Sequence, residues 1–593
     1  MTIKTDNTRD DLLTDFGKAT LSDRYTLPGE RYQDVFSRVA KTYQADDEHG
    51  RRLYDYMSRH WFMPATPILT NGGAGRGLSI SCFVNEIDDS IEGIADTFKE
   101  NIYLASSGGG IGTYFGNLRS LGEKVGRNHA TSGVIPFMKM LDSQTIGISQ
   151  SGIRRGSAAA YLPVWHPEIE EFLELRKPTG GDPNRRCLNL HHGAIVDDKF
   201  MEAVETGAMY DLVSPKDGKV IRSIPARDLW VKLLTNRIEQ GEAYIIYIDS
   251  INRAAPDIYK KLGLKVKTSQ LCAEVYLHTG LDHLNNHRTA VCCLSSLNLE
   301  THDQWRDNPQ FIHDVMLFLD NVLQDFIDRA PNTMERAKYA AMRERSVGLG
   351  VMGWHTFLQD RGIPFASVMA KVWNRRIFKE IRAQADAASI RIADVRGACP
   401  DAVDAGIHER FTHKLAVAPT ASISIIAGTT SPGIDPITAN VYLQKTLSGS
   451  FTVRNRSLDR VLEAHGKNTP DVWQSITLNK GSVQHLDFLT DDEREVYKTA
   501  FEIDQRWVIE HAADRAPFIC QGASTNLFLK ADIHKRDLHE IHFQAWKKGV
   551  KGLYYARSMS LQRAEAVSSA VGVAADNVKP RTEPQYDDCL ACQ

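Results

Sequence analysis

Cysteine residues supply the most distinctive candidates for chemistry in this sequence of 593 residues. Cys589 and Cys592 form a CxxC pair close to the C-terminus, and neighbouring thiols exchange readily by thiolate attack. A CxxC can also be half of a zinc site, but the sequence has no second CxxC to complete four ligands. The pair therefore favours redox exchange. Two thiols on a flexible tether can reach into a site, reduce a group there, and move out again to be reduced themselves.

A second candidate is the stretch TSQLCAEV at 268–275. If it is extended, Gln270, Cys272 and Glu274 share one face, because side chains alternate along a strand. A thiol between an amide and a carboxylate is a plausible nucleophile or radical centre with an acid/base partner. The alternative is that Cys272 is a small buried apolar residue, as most single cysteines in apolar runs are.

The remaining motifs are individually weak. Cys82 follows a glycine-rich stretch, and Cys292 is adjacent to Cys293. His283 and His287 have an HxxxH spacing that could suggest zinc, but LDHLNNHRT is polar and turn-like, which disfavours it. The glycines at 110–116 loosely resemble a dinucleotide fingerprint, yet the segment before them has a helical rather than a strand pattern. Taken alone, the tyrosine pair at 554–555 is typical of core packing.

These residues must be positioned by a mixed fold. Apolar spacing predicts helices up to about residue 75, at 314–328, and at 367–390 behind a Ser367 cap. Short apolar runs such as GAIVDD, AYIIYID and HKLAVAP predict strands between helices, so we expect an α/β architecture. We divide the chain into an N-terminal helical region (1–75), an α/β body (76–557) and a flexible tail (558–593).

Composition excludes several classes of protein. Apolar residues are 42% and charged residues 24%, which are ordinary values for a globular protein. A net charge of −3 argues against a non-specific nucleic-acid or membrane-surface binder. The polar N-terminus has no secretory signal, and the nine cysteines then indicate free thiols in a reducing cytoplasm.

In order along the chain, the motifs resemble those of the large, catalytic subunit of class I ribonucleotide reductase. The resemblance runs from about residue 16 to the end. It rests on PATPIL (64–69), ISC (80–82), GGGIG (108–112), GIRRGSAAAYLPVWHPEIEEFLELR (152–176), SQLCAE (269–274), CCLS (292–295), RSVGLGVMGWH (345–355), APTASIS (418–424), DRAPFICQGAS (514–524), GLYYAR (552–557) and the cysteine-bearing tail.

The resemblance implies a ten-stranded α/β barrel, built from two antiparallel halves of five parallel strands, with a finger loop near 268–276. It implies reduction of ribonucleotides, expected to be diphosphates, to 2′-deoxyribonucleotides. Cys272 would carry a thiyl radical, with Glu274 as general base and Gln270 beside it. Cys82 and Cys292 would supply two electrons and end as a disulfide, whereas Cys293 would be structural. Cys187, Cys399 and Cys520 receive no role.

The resemblance also implies partners. Tyr554 and Tyr555 match tandem tyrosines that pass the radical from a small, metal-bearing subunit, so this chain itself would hold no metal or other cofactor. Cys589 and Cys592 would restore the inner disulfide, and thioredoxin or glutaredoxin would restore the tail. A homodimer is expected, with neither nucleic acid nor membrane as a partner.

Ligand contacts are implied as well. The substrate would meet Thr66, Ser81 and Gly110, and its phosphates would meet Pro419, Thr420, Ala421 and Ser422. A specificity effector, ATP or a deoxynucleoside triphosphate, would bind at Asp89, Ser90 and Arg119, and the loop 182–193 would carry its signal. Because the resemblance starts near residue 16, we expect no separate ATP-binding cone that switches overall activity.

The sequence departs from the family's usual pattern at two places, and two alternative functions remain to be weighed. Gln270 stands where the family usually has Asn, which puts its substrate hydrogen bond in doubt, and the tail spacing is tighter than in many relatives. A class II, adenosylcobalamin-dependent reductase is the nearest rival, but it has no use for the tyrosine pair at 554–555. The second alternative is a nucleotide-dependent dehydrogenase, suggested by the glycines at 110–116. That function would give no role to the cysteines that match the reductase motifs.

Overall fold

A computed structural model describes residues 3–127, 129–148, 157–178, 180–446 and 449–558. Cys589 and Cys592 lie outside the described residues. Within these ranges, no helix combines the length and the apolar character that a membrane span requires.

The helices are α1 Asp15–Arg24, α2 Tyr32–Thr42, α3 Asp47–Ser58, α4 Thr66–Asn71, α5 Ile91–Ser106, α6 Ile135–Gly147, α7 Ile169–Phe172, α8 Asp198–Thr206, α9 Ala226–Gln240, α10 Ile248–Arg253, α11 Asp257–Leu262, α12 His302–Trp305, α13 Phe311–Arg329, α14 Glu335–Glu344, α15 Trp354–Gln359, α16 Val368–Arg396, α17 Pro400–Asp404, α18 Ala421–Ile426, α19 Arg456–Ala464, α20 Pro470–Leu478, α21 Asp491–Val496, α22 Gln505–Arg515 and α23 Lys535–Lys547.

The strands are β1 Phe62–Pro64, β2 Cys82–Glu86, β3 Gly110–Tyr114, β4 Lys124–Val125, β5 His129–Ala130, β6 Ser157–Pro163, β7 His191–Val196, β8 Met209–Val213, β9 Val220–Pro225, β10 Tyr244–Tyr247, β11 Gly280–Leu281, β12 His287–Arg288, β13 Ala290–Asn298, β14 Val347–Met352, β15 Val441–Thr446, β16 Gly449–Arg454, β17 Leu527–Leu529, β18 Gly552–Leu553 and β19 Ala556–Ser558.

The helical patterns of the sequence are confirmed. Residues 3–75 contain a 3₁₀ helix at Asn7–Leu12, the helices α1 to α4 and the short strand β1. Predicted helices 314–328 and 367–390 correspond to α13 and to the longer α16, and Ser367 caps α16 by accepting a hydrogen bond from Ala370 N at 3.1 Å. Both helices bury one apolar stripe, because the spacing of three and four places those side chains on one face.

Five parallel strands form the centre of the main sheet, in the order β2, β3, β6, β7, β10. At one edge β13 pairs antiparallel with β2, and at the other β18 pairs antiparallel with β10. Strand β14 pairs parallel with β13 on its far side. Runs GAIVDD and AYIIYID are strands as predicted, whereas HKLAVAP makes only isolated parallel bridges, at Leu415 and Val417.

The strands curl into a barrel with different side chains inside and outside. Along β13, Cys292 and Leu294 belong to an inner apolar cluster, whereas Val291 and Cys293 belong to the larger cluster beneath the surrounding helices. This separation follows from the alternation of side chains along a strand. The inner cluster also contains Cys82, Cys272 and Tyr554, so the barrel brings together cysteines that are far apart in sequence.

Candidate active site

Cys82 and Cys292 face each other across neighbouring antiparallel strands. They are direct register partners in the pairing of β2 with β13, and both are buried free thiols. Directly opposed residues on antiparallel strands have Cα atoms about 4.5–5.5 Å apart, a spacing that a disulfide can span. The pair can therefore cycle between two thiols and a disulfide with little movement of the backbone.

Burial determines the protonation of Cys292. Burial, and next the neighbouring Cys293 thiol, raise the pKa of Cys292 well above its usual value. The thiol therefore stays protonated at neutral pH and can deliver hydrogen as well as electrons. Cys293 points to the outer side, where its sulfur donates to Leu319 O of α13 at 3.5 Å.

The segment that carries Cys272 enters the barrel interior as a turn. Residues 271–273 form this turn, and Ala273 has a φ of 60°, in the left-handed region. The extended conformation considered for 268–275 is therefore wrong, because the chain reverses at its tip. Gln270, Cys272 and Glu274 are all completely buried, so the tip brings these groups into the interior without strand pairing.

The loop fits because β3 carries a glycine where the loop crosses it. A Cβ added at Gly112 would overlap the carbonyl oxygen of Ser269 and lie 2.6 Å from Gln270 Cα. Tyr161 of β6 donates from its hydroxyl to Gln270 O at 2.5 Å. The loop is thus held against the inner face of β3 and β6 at backbone contact distance.

Gly112→Ala should destabilise the protein by about 1–3 kcal/mol, because a methyl group there forces the loop backbone away from the sheet. The midpoint of thermal unfolding, compared at one scan rate, measures this effect. Gly147→Ala is the matched control, since a Cβ at Gly147 meets no atom within 4 Å. Equal midpoints for the two variants would show that the loop does not depend on the close approach at Gly112.

Ser524 connects the thiol segment to the carboxylate. Its buried hydroxyl lies 2.6 Å from Cys272 O and 2.9 Å from Glu274 Oε2. A hydroxyl has one hydrogen, so Ser524 donates to either Cys272 O or Glu274 Oε2 at one time. When it donates to Glu274 it supports the ionised carboxylate, the form that can accept a proton.

Gln521 connects the same loop to the thiol pair. Its side-chain Nε2 donates to Cys292 Sγ at 3.5 Å and to Val347 O at 3.1 Å, and its Oε1 accepts from Tyr276 N at 3.3 Å. Gln270 braces the loop from within, because its Oε1 accepts from Val275 N and from Ser269 Oγ, each at 3.1 Å. One polar framework thus fixes Cys272 relative to Cys292.

Tyr554 and Tyr555 form an aromatic path from the interior toward the surface. Their ring centroids are 4.3 Å apart, and the buried Tyr244 lies 4.7 Å from Tyr554 and 5.2 Å from Tyr555. Tyr554 belongs to the inner cluster with Cys272, whereas Tyr555 is only partly buried. These three rings form a contiguous set of oxidisable groups that ends in the cluster containing the buried thiols.

The implied substrate residues form two groups, and the first includes direct neighbours of Cys82. Ser81 precedes Cys82, and Gly110 is the register partner of Cys82 on β3; Gly110 N donates to Ser81 O at 2.6 Å. Thr66 begins α4, and its hydroxyl lies 3.0 Å from that of Tyr25.

The other group surrounds the start of α18. Thr420 adopts a φ of 58° immediately before the helix, and its Oγ1 accepts from Gly433 N at 2.7 Å. Pro419, Ala421 and Ser422 flank this bend. Because α18 packs near β1, the bend lies on the side of the barrel that also carries Thr66.

The implied effector residues also come together. Arg119 Nε and Asp89 Oδ2 form an ion pair at 2.7 Å, and Ser90 caps α5 by accepting from Gly93 N at 2.9 Å. All three lie away from the inner cluster, at the start of α5 and after β3.

The two histidines of the HxxxH motif do not share a site. His283 pairs with Asp404 at 3.0 Å, whereas His287 lies 3.6 Å from Asp88. His283, Asp401 and Asp404 could in principle hold a metal, but the guanidinium of Arg343 pairs with both aspartates and supplies the positive charge there.

Sequence patterns did not assign roles to several residues that shape this site: Gln521, Ser524, Tyr244, Tyr161 and His191. Gln521 and Ser524 lie within the motif DRAPFICQGAS, Tyr161 lies within the motif at 152–176, and His191 lies within the loop 182–193, so these segments were usable signals. The contacts that each residue makes join strands that are distant in sequence, so no local pattern reveals them.

Comparisons with known proteins identify relatives along most of the chain. The family model described as "Ribonucleotide reductase, barrel domain" matches residues 80–411 and 401–556, and "Ribonucleotide reductase, all-alpha domain" matches residues 11–77. The ribonucleoside-diphosphate reductase large subunit of Invertebrate iridescent virus 3 is 38% identical, with 100% of both chains covered. The large chain from Schizosaccharomyces pombe is 32% identical over 95% of this chain and 76% of its own length.

A solved structure of the same family also matches most of this chain. The class Id ribonucleotide reductase alpha subunit of Actinobacillus ureae superposes with a TM-score of 0.82 at 33% identity, covering 93% of this chain and 98% of that one.

Proposed function

This chain belongs to the class I ribonucleotide reductase large-subunit family, and on that premise we propose that Cys272 is the thiol that carries the catalytic radical. The enzyme reduces ribonucleotides to 2′-deoxyribonucleotides by a thiyl-radical mechanism and works with a small subunit from which the radical comes. The class II alternative is disfavoured by the class I structural relative.

The observation that carries the residue assignment is the convergence of three thiols in one buried cluster. The Cys272 thiyl radical would take the 3′-hydrogen of the ribose, and Glu274 would accept the 3′-hydroxyl proton as general base. The 2′-hydroxyl then leaves as water, while Cys82 and Cys292 supply two electrons and become a disulfide. Return of the 3′-hydrogen regenerates the Cys272 radical. Overall, ribonucleotide plus two thiols gives deoxyribonucleotide, one disulfide and water.

Gln270 has a supporting role in this proposal. Its side-chain oxygen is engaged by Ser269 and Val275 within the loop, so it holds the shape of the turn that presents Cys272. A direct hydrogen bond from Gln270 to the substrate would have to use its amide nitrogen.

We also assign to residues of this chain the substrate and effector contacts that the family resemblance implies. Substrate would contact Thr66, Ser81 and Gly110 beside the thiol pair. Its diphosphate would rest on the bend formed by Pro419, Thr420, Ala421 and Ser422, whose backbone and hydroxyl groups suit an anion. An ATP or deoxynucleotide effector would bind around Asp89, Ser90 and Arg119.

The wider architecture is part of the proposal. We count β2, β3, β6, β7 and β10 as one half of a ten-stranded barrel. The other half would be β13, β14 and the segments 415–417, 521–529 and 552–558. Support comes from parallel bridges at Leu349–Leu415 and Val417–Ala523 and from Tyr554 N donating to Thr525 O at 2.8 Å. We retain 1–75, 76–557 and 558–593 as the domain division.

The partners follow from the same chemistry. A metal-bearing small subunit would oxidise Tyr555, and Tyr554 would pass the radical on to Cys272. Thioredoxin or glutaredoxin in the cytoplasm would reduce the tail pair, and a homodimer would carry the effector site.

Replacing both tail cysteines, Cys589→Ser with Cys592→Ser, should stop turnover driven by thioredoxin. Dithiothreitol, a dithiol small enough to enter the barrel, should still support turnover, because the inner pair is intact. Deoxynucleotide formation under each reductant is the measurement. Cys82→Ser or Cys292→Ser should block both routes, whereas Cys187→Ser, which lies in the outer core, should block neither. Normal thioredoxin-driven turnover in the tail variant would contradict the shuttle.

A further inference from the structure

His191, the first residue of β7, touches the hydroxyl of the outermost tyrosine. Its Nδ1 lies 3.3 Å from Tyr555 Oη, and the two rings meet edge to face with centroids 6.1 Å apart. The same nitrogen lies 2.7 Å from Glu242 Oε1. One ring nitrogen therefore contacts both a carboxylate and the phenol of Tyr555.

The carboxylate decides which atom carries the hydrogen at this contact. Burial alone would raise the pKa of Glu242, but Arg176 and His191 outweigh it and lower that pKa to about 2. Arg176 Nη1 lies 3.5 Å from Glu242 Oε1, and His192 N donates to Oε2 at 3.2 Å. An ionised carboxylate only accepts hydrogen bonds, so His191 Nδ1 carries the hydrogen.

This tautomer constrains Tyr555. Nδ1 has one hydrogen, which the nearer Glu242 Oε1 takes at 2.7 Å and which Tyr555 Oη at 3.3 Å can share only weakly. A protonated Nδ1 has no lone pair to accept a hydrogen bond, so the hydrogen of Tyr555 must point elsewhere. The aromatic rings next to Tyr555 are Tyr554, at 4.3 Å, and Tyr244, at 5.2 Å, and Tyr244 also stacks on His191 with ring centroids 6.2 Å apart. Burial, and next the proximity of Tyr555, raise the pKa of Tyr244 well above its usual value, so Tyr244 stays a neutral phenol.

We propose that His191, held by Glu242, is a positioning residue that turns the Tyr555 hydroxyl toward the inner tyrosines and fixes it for radical transfer; this rests on the proposed relay through Tyr555. In the step concerned, the Tyr555 phenoxyl radical takes a hydrogen atom from Tyr554. The O–H bond of Tyr554 breaks, the O–H bond of Tyr555 forms, and one electron moves with the proton. His191 keeps its N–H throughout and acts as neither acid nor base.

The test uses the holoenzyme of this chain with its small subunit. His191→Phe removes the donor and should lower turnover about a hundredfold, the scale of loss when a reacting group is misplaced. His191→Asn places an amide N–H close to the position of Nδ1 and should restore most of that turnover. Equilibrium binding of substrate and effector should be unchanged in both variants.

A spectroscopic signature separates positioning from a merely structural role. With 3-aminotyrosine at position 555 trapping the radical, electron-nuclear double resonance in H2O and D2O should detect an exchangeable proton hydrogen-bonded to the tyrosyl oxygen, distinct from the amino protons of the probe. That coupling should persist in His191→Asn and disappear in His191→Phe. His408→Phe is the control, since His408 is an exposed histidine that pairs with Asp394 at 2.8 Å, and it should retain both turnover and coupling.

The outcomes distinguish this inference from the relay itself. If Tyr555→Phe turns over normally, the proposed relay fails and the inference falls with it. If Tyr555→Phe is inactive while His191→Phe keeps normal turnover or the exchangeable coupling, only the positioning role is overturned. It is also overturned if folded His191→Asn is as slow as His191→Phe.

Discussion

Cys272→Ser should abolish deoxynucleotide formation with every reductant. A thiyl radical forms because an S–H bond is weak enough for the relay to oxidise, whereas the O–H bond of serine is too strong. The replacement should leave the loop intact, since Ser524 contacts the backbone oxygen of residue 272 rather than its side chain. Product formation with thioredoxin and with dithiothreitol, separated chromatographically, is the measurement.

Cys293→Ser is the matched control for this result. Its sulfur is also buried, but it points away from the barrel interior and donates to Leu319 O, a contact that a serine hydroxyl can keep. This variant should retain turnover. Measurable product from Cys272→Ser, with contaminating wild-type enzyme excluded, would refute the assignment of the radical to Cys272.

Tyr554→Phe and Tyr555→Phe should each reduce turnover to the background of the assay. Each change removes only a hydroxyl, so ring packing at 4.3 to 5.2 Å and the binding of substrate and effector should persist. Phenylalanine cannot carry the radical at an accessible potential, so transfer stops there. Turnover and equilibrium substrate binding should be measured on the same preparations.

Tyr247→Phe provides the control, because Tyr247 lies on the outer side of β10 and donates to His542 O at 2.9 Å. It should keep its activity, apart from a modest loss of stability of about 0.5–1.5 kcal/mol for the hydrogen bond. Normal turnover in either Tyr554→Phe or Tyr555→Phe would mean that the radical reaches Cys272 by another route.

Local patterns in the sequence were sufficient for much of the scaffold. Helix periodicity located α13 and α16, and even the Ser367 cap, because amphipathic spacing and capping are local properties. The strand pattern failed at 268–275, where a turn at Ala273 is stabilised by tertiary contacts to β3 and β6. It also failed at 415–417, where only single bridges form.

The site was predictable only in part, and chiefly through family resemblance. Spacing alone could not reveal that Cys82 and Cys292 are register partners, since 209 intervening residues separate them and strand pairing is set by the whole barrel. The same is true of Ser524 beneath Glu274 and of His191 beside Tyr555. These contacts join distant segments, so they depend on the three-dimensional arrangement of the strands.

A single-turnover experiment tests the central claim most directly. The tail variant, Cys589→Ser with Cys592→Ser, is reduced, freed of reductant and mixed with the small subunit, a ribonucleoside diphosphate and effector. We predict one deoxynucleotide per active chain and a disulfide joining Cys82 to Cys292, identified by peptide mapping. Product beyond one equivalent, or one equivalent of product with Cys82 and Cys292 still reduced, would contradict the account.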